Sequence, residues 1–431
     1  MAYGSSALSP AASFDPFWWR AAPHDDATRA VAPKSTDVAI VGSGITGLVA
    51  AIHLARGGRQ VTVFEAKEPG HGASTRNAGY VGRTLKHSFG EIMETEGLDR
   101  AKAVYGELMD AFLAVKDTVE QEKIDCHYKQ QGRLLLATSP AMYDAMAKEF
   151  SLRERHLGEG FATLDRAAQR EEISTDHYFG GVRIADHAGL HPGLYHQGLL
   201  EAARAAGVTV CAFTPVLGFG KEGKGFNVIL RTGLVKARDL IVATNGYGGR
   251  EWPWLKRRIM PFHAYQTVSA PLGENRVRSL LPGGRTFIDW NFNVDWMREA
   301  PGDPTRIIFG GLTGEIDADL RIMAERLHQR LVRIFPDLAD LQFDHVWTGK
   351  CGGTFDINPK IGCHDGVHYA GGYCFAGVPM GTLFGQKMAK RILGRPGGES
   401  VFDTPPPSKF WYRGNDWFVP YAIRWMSRGD R

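Results

Sequence analysis

Residues 37–68, DVAIVGSGITGLVAAIHLARGGRQVTVFEAKE, decide the fold. A β-branched run ends in Gly42-Ser43-Gly44-Ile45-Thr46-Gly47, a helix-like run follows and closes at Gly57 and Gly58, and a second strand runs from Val61 to Glu65. That order is a β-α-β unit. Within it Gly42 makes the tight turn, Gly44 lets backbone N–H groups approach a pyrophosphate, and Gly47 lets helix and strand pack closely. The helix N-terminus adds partial positive charge. Glu65, followed by Ala66, stands roughly 20 residues on, where an acid accepts ribose hydroxyls. An acid there points to an unphosphorylated adenosine ribose, as in FAD or NAD.

Working outward, 431 residues at about 150 per domain suggest two to three domains. With 43% hydrophobic and 23% charged residues, the composition excludes a disordered, collagenous or disulfide-stapled chain. Glycine is the outlier, 52 residues or about 12% against an average near 7%, which suits close backbone approaches to a dinucleotide. Lys plus Arg minus Asp plus Glu is 51 − 47 = +4, without long runs of like charge, so a nucleic-acid partner is not called for. The cysteines, 126, 211, 351, 363 and 374, are odd in number and form no C-x-x-C, which argues against a disulfide framework and a zinc site. A cytoplasmic location is expected, since the first residues lack a cationic and then apolar leader. The apolar stretch Val38 to Ala55 carries Ser43, Thr46, His53 and three glycines, so no membrane span is read there.

Residues 1–34 read as an extended arm on the body, with an aromatic knot at Phe14, Phe17, Trp18 and Trp19 and no fold of its own. Phe89 to Glu122 has helical periodicity, Gly132 to Thr138 reads as a strand and Ser139 to His156 as a helix. In HPGLYHQGLLEAARAAG, Pro192 and Gly207 mark a helix start and stop. Strands are expected at VTVCAFTPV, FNVILRT and DLIVATNGYG, then at Phe262–Ala270, Arg285–Arg298 and Arg306–Leu312. An amphipathic helix is expected around Asp319–Phe335, a further helix at Gly381–Leu393, and residues 405–431 as an aromatic tail.

The loop Gly70 to Gly79, GHGASTRNAG, follows the ribose strand almost at once, and such a small-residue loop ending in Arg-Asn has little structural purpose alone. Here the sequence resembles the D-amino acid oxidase-like superfamily of FAD enzymes, which includes sarcosine, glycine and γ-glutamylputrescine oxidases. The resemblance runs from about Asp37 to Gly394. It is also carried by GLHPGLYHQGLLEAARAAGV, DLIVATNGYG, RIIFGG at 306–311 and WTGKCGGTFDINPKIG at 347–362. It implies a glutathione-reductase-like FAD-binding domain of Rossmann type, discontinuous over 35–95, 185–255 and 345–404. An antiparallel substrate domain over 96–184 and 256–344 would be inserted in it. It further implies that Gly42, Gly44, Ile45, Thr46, Gly47, Glu65, Ala66, Ser74, Arg76, Asn77, Ala78 and Gly79 bind FAD. Val216 would meet the adenine, Ala243, Thr244 and Asn245 the ribose and phosphates, and Phe375, Ala376, Gly377, Val378, Pro379 and Met380 the flavin pyrimidine. The usual glycine-histidine-glycine of that last turn is Phe375-Ala376-Gly377 here.

The resemblance also implies oxidation of a C–N bond, with flavin accepting the electrons and a hydrolysable imine as product. Aromatic residues that desolvate the amine would favour its neutral form; Tyr265, Trp290, Phe292 and Trp296 are the candidates. A substrate carboxylate would call for an arginine, Arg83 or Arg298. Relatives carry an oxygen-activating lysine on the strand resembling 306–311, which holds none here; Lys350 is the substitute candidate, and Tyr265 the second catalytic candidate. Cys351 lies near the place where relatives link flavin covalently but out of register, so FAD is expected to be non-covalent. Oxygen and another electron acceptor both stay open. An NAD-dependent dehydrogenase and a flavin-bearing nucleic-acid-associated protein are the rival readings. His187, His191 and His196 lack metal-ligand spacing, and His191 is expected to cap or flank its helix.

Overall fold

The computed structural model describes residues 7–24, 30–314 and 319–430. The first six residues of the arm, residues 25–29 and Arg431 therefore lie outside the described residues. Ser35–Val41 and Val61–Phe64 form parallel neighbours, with Val38 opposite Val61 and Val41 opposite Phe64. Their apolar runs are buried on both faces, as parallel strands under helices require. The helix Ile45–Arg56 crosses between them and is buried over most of its surface.

Around that unit an eight-stranded sheet grows. Gly218–Glu222, Gly225–Leu230 and Gly233–Val242 form an antiparallel meander on one side, and Thr209–Cys211 closes the other. Gly233–Val242 also pairs in parallel with Val367–Gly371, which bonds to Lys360–His364. A second, nine-stranded sheet runs in spatial order Leu8–Ser13, Phe343–Gly353, Met260–Ser269, Asp303–Gly311, Trp296–Ala300, Thr286–Asp289, Arg133–Leu136, Gly181–Ile184 and Ala162–Leu164. The amphipathic helix Leu320–Ile334 buries Met323, Leu327 and Leu331 with Phe309 and Val346 in this sheet's core.

Four sequence expectations change. The helical stretch after Phe89 is two helices, Phe89–Glu96 and Leu98–Gln121, because Gly97 adopts φ +93° between them. The strand expected over Arg285–Arg298 is a hairpin of Thr286–Asp289 and Trp296–Ala300; the Asp289 carboxylate accepts the N–H groups of Asn291 and Asp295 and turns the chain. The arm is also more than an appendage. Leu8–Ser13 is an edge strand parallel to Phe343–Gly353, and Trp18 is fully buried. The tail likewise contains a helix, Val419–Met426, whose Val419 and Ile423 pack on Phe262.

Candidate functional site

A cavity of about 940 Å³ opens between the two sheets. Two helix N-termini lie on its wall, Ile45–Arg56 after Gly44 and Gly377–Ile392 after Ala376, and neither is capped by the side chain of its own N-cap residue. Each therefore offers first-turn N–H groups and partial positive charge to an anionic guest. The turn before the first helix is tight, with Gly42 at φ +102°. A Cβ on Gly47 would lie 2.1 Å from the Gly42 carbonyl oxygen, so no larger residue fits between loop and helix.

Side chains fix this loop from several sides. Glu65 Oε2 accepts the Ser43 N–H at 3.0 Å and its hydroxyl at 2.8 Å, and Oε1 accepts Lys67 N–H. His196 Nε2 donates to the Ser43 carbonyl at 2.8 Å, and burial takes its pKa down to about 4, so the ring is neutral. Thr46 and Tyr373 hydroxyls meet at 2.7 Å, joining the first helix to the strand-to-helix turn of the second.

The loop 73–79 is held by its own polar atoms. Asn77 donates to the carbonyls of Ala73 and Ser74 and accepts from Gly79 N–H. Ser74 Oγ accepts the first-turn N–H of Ile45 at 3.0 Å. Arg76 donates to the His71 and Thr348 carbonyls, and its own carbonyl takes bonds from Gln266 and Trp347. This segment thus ties the start of the first helix to the nine-stranded sheet, and the small residues between its anchors leave room for a ligand.

Most of the sequence candidates come together on this wall: Gly42, Gly44, Ile45, Thr46, Glu65, Ala66, Ser74, Arg76, Asn77 and Ala78, then Val216, Ala243, Thr244 and Asn245, then Phe375 to Pro379. Gly47, Gly79 and Met380 lie just behind it. Trp290, Phe292 and Trp296 also line the cavity, and the rings of Trp296 and Phe375 are 6.5 Å apart. Trp290 and Phe292 do so from the hairpin turn, not from a strand.

Other candidates are corrected. Tyr265 is fully buried in the core of the nine-stranded sheet, because strand alternation turns its neighbours Ala264 and Gln266 to the cavity instead. Arg298 lies outside the wall and donates to the carbonyls of Ala78, Gly79 and Leu190. Arg83 reaches the wall, but its guanidinium is paired with Asp186 and Glu159. Lys350, in contrast, lines the cavity as expected; it is exposed, and its backbone N–H donates to the Tyr247 hydroxyl. His191 caps its helix by accepting Leu194 N–H, as its position suggested.

Two of the wall's cations that escaped the sequence reading stand out. Lys86 lines the cavity, with Nζ donating to the Phe292 carbonyl at 2.7 Å and lying 4.8 and 5.3 Å from the Phe292 and Phe375 ring centres. Burial lowers its pKa. Arg133, at the start of a strand, is 2% exposed and also reaches the wall. No local motif distinguishes either from a surface residue.

The residues present fit a flavin dinucleotide: two helix starts with first-turn N–H groups for the pyrophosphate and the flavin pyrimidine, an acid beside the glycine loop for the ribose, and an aromatic end. Comparison with known proteins agrees. The family model for FAD-dependent oxidoreductases of the DAO type matches residues 37–391. Gamma-glutamylputrescine oxidoreductase of Escherichia coli is 30% identical over 367 residues, covering 83% of this chain and 84% of that protein. Glycine oxidase of Bacillus licheniformis is 24% identical, covering 84% and 94%. In fold, the chain is similar to the crystal structure of glycine oxidase from Geobacillus kaustophilus, with a TM-score of 0.72 at 22% identity over 86% of this chain and 97% of that one. This chain therefore belongs to the DAO family of FAD-dependent oxidoreductases, and FAD is its cofactor.

Proposed function

We propose that the protein oxidises the C–N bond of a small or medium-sized amine or amino-acid derivative to an imine, which water converts to a carbonyl compound and a released amine or ammonia. The observation that carries this is the aromatic end of the cavity, where Trp290, Phe292, Trp296 and Phe375 gather beside the start of the helix Gly377–Ile392. Gamma-glutamylputrescine oxidoreductase and glycine oxidase, both similar to this chain, are named for amine and amino-acid substrates. Bound FAD supplies the two-electron acceptor for the substrate's hydride.

The chain's own part is to bind, orient and desolvate. An amine yields its α-hydride only when its nitrogen lone pair is free, so an ammonium must first lose a proton. An apolar wall lowers the ammonium pKa by desolvation, and a nearby cation lowers it further; Lys86 is such a cation. The thiols of Cys351 and Cys374, both on the wall, are pushed up to about 12 and about 11 by burial. A protonated thiol is a poor nucleophile, which supports non-covalent FAD. Reoxidation uses oxygen, forming hydrogen peroxide, or another acceptor.

The test is the visible spectrum of the purified protein before and after acid precipitation, followed by anaerobic addition of amines. Flavin colour that moves to the supernatant and is bleached by an amine is the expected result. Colour retained in the pellet overturns the non-covalent link, and flavin that no amine or amino acid bleaches overturns the substrate class. Oxygen uptake compared with reduction of an artificial dye then separates oxidase from dehydrogenase, with Lys350→Met as the variant that slows only the oxygen reaction if Lys350 assists it.

A further inference from the structure

Exposed aromatic side chains are concentrated in one stretch of the chain. Among the described residues, Phe410, Trp411, Trp417, Tyr421 and Trp425 are all exposed and all fall between positions 410 and 425. Phe410 is 91% exposed, and Trp417, Tyr421 and Trp425 are 62%, 67% and 65% exposed. The last three stand four residues apart, so they share one face of the helix Val419–Met426 and the turn before it. The opposite face carries Val419 and Ile423, buried with Phe262. Packing on the body thus accounts for the inner face and leaves three large rings in water, a patch of the kind that marks an interaction surface.

Cations accompany the rings. Lys409, Arg413, Arg424 and Arg428 are all exposed. Arg424 stands three residues after Tyr421 and Arg428 three after Trp425, the spacing of neighbours on one helix face. The acids of the same stretch, Asp416 and Asp430, are partly buried, and Asp430 turns inward to accept the Phe292 and Asn293 N–H groups at 2.7 and 2.9 Å. The outer surface is therefore aromatic and positive. Rings that end in an N–H or O–H settle at the boundary between lipid headgroups and acyl chains, and cations beside them are drawn to anionic headgroups. The helix has eight residues and is about 12 Å long, against a bilayer core of about 30 Å, so it can lie on a membrane and not cross one. A twofold contact between copies would set four cations against four, which like-charge repulsion disfavours. A nucleic-acid strand stacks its bases on aromatics that line a groove, whereas these rings project from one helix face.

We propose that residues 409–428 form a docking surface for an anionic lipid bilayer: Trp417, Tyr421 and Trp425 enter the headgroup boundary, and Lys409, Arg413, Arg424 and Arg428 meet the acidic headgroups. The surface has a fixed relation to the cavity. Asp430, on the same tail, holds the turn from which Phe292 lines the cavity, and Ile423 packs on Gly314. Docking therefore takes place beside the hairpin at the aromatic end of the cavity.

Flotation of the holoenzyme with lipid vesicles is the test, with flavin content and melting temperature as controls. Vesicles of phosphatidylglycerol and phosphatidylcholine in roughly equal parts are compared with phosphatidylcholine alone. Partition onto the anionic vesicles is expected to be at least about tenfold stronger, and to weaken as salt rises from about 0.05 to about 0.5 M. Trp417→Ser combined with Trp425→Ser should lower it by at least about tenfold. Arg424→Gln and Arg428→Gln should each lower it about fivefold, with flavin content and melting temperature unchanged. Arg413→Gln, which lies outside the helix, repeats the charge test where the helix variants do not fold. Equal partition onto the two kinds of vesicle, or variants that partition like the wild type, would overturn the docking surface. Absence of vesicle binding would overturn it as well: loss of a concentration-dependent dimer in the tryptophan variants would then give the face to a second copy, and loss of retention on polyuridylate would give it to a nucleic acid.

Discussion

At the scale of single residues, the glycine loop and the acid pair on the hairpin make opposite demands. Gly47 is fixed by distance: a methyl group there would need the 2.1 Å already taken by the Gly42 carbonyl oxygen, so loop or helix must move. Gly47→Ala is expected to purify with less than about a tenth of the wild-type flavin and to lose on the order of 2 kcal/mol of stability. Flavin absorbance per chain checks it. Asp289 and Asp295 face each other with little water, and burial raises both, Asp295 to about 6. A carboxyl raised in the folded state stabilises fully below its unfolded pKa near 4 and loses that stability as pH rises through the folded value. The pair therefore costs stability progressively from about pH 4 to beyond 6. A tenfold gain in a carboxylate's proton affinity on folding corresponds to about 1.4 kcal/mol. Asp289→Asn keeps an oxygen for the N–H groups of Asn291 and Asp295 but cannot ionise. Its melting temperature should gain on the wild type between pH 4.5 and 7.5, and a constant difference across that range would refute the assignment.

At the scale of elements, what the sequence disclosed depended on whether the forces were local. Parallel strands buried on both faces are continuous apolar runs, so Ser35–Val41 and Val61–Phe64 are legible without a partner in view. The break at Gly97 and the turn after Asp289 were missed, the first because helical periodicity continues across it, the second because a carboxylate replaces the usual glycine or proline. Helix pairing is less visible still. Glu107 in Leu98–Gln121 accepts Lys387 Nζ of Gly377–Ile392 at 2.7 Å, Ser400 Oγ at 2.6 Å and Val401 N–H at 2.7 Å. Both charges are nearly sealed from water, at 5% and 9% exposure. Glu107→Ala strands the ammonium and is expected to cost about 3–5 kcal/mol, much of it restored by adding Lys387→Met. Urea unfolding of the single and double variants checks it; additive losses would contradict the pairing.

At the scale of the whole molecule, the cavity depends on segments far apart in sequence that meet at one loop. The FAD-binding candidates were legible because glycine spacing and Arg-Asn record close backbone approach locally. Arg133 and Lys86 were not, because their burial against the cavity is defined by what surrounds them in space. The arm shows the same limit. Its aromatic knot was visible, but not that Trp18 packs 4.8 Å from His191 and 6.1 Å from Trp347 by ring centres while its N–H donates to the Asn77 carbonyl at 2.9 Å. Trp19 bonds the Thr75 hydroxyl in the same loop, and its ring lies 4.6 Å from the Arg76 guanidinium. The arm thus clamps the segment expected to pass the pyrophosphate. Trp18→Ala is expected to cost about 3–5 kcal/mol through lost packing. Trp18→Phe retains most of the ring volume and loses the hydrogen bond, at about 1 kcal/mol. If the clamp also orders the cofactor site, the alanine variant should weaken FAD binding by at least fivefold under conditions where it is still folded, measured by ultrafiltration of the free flavin. A variant that melts early yet keeps wild-type affinity for FAD would make the arm a support of the nine-stranded sheet alone.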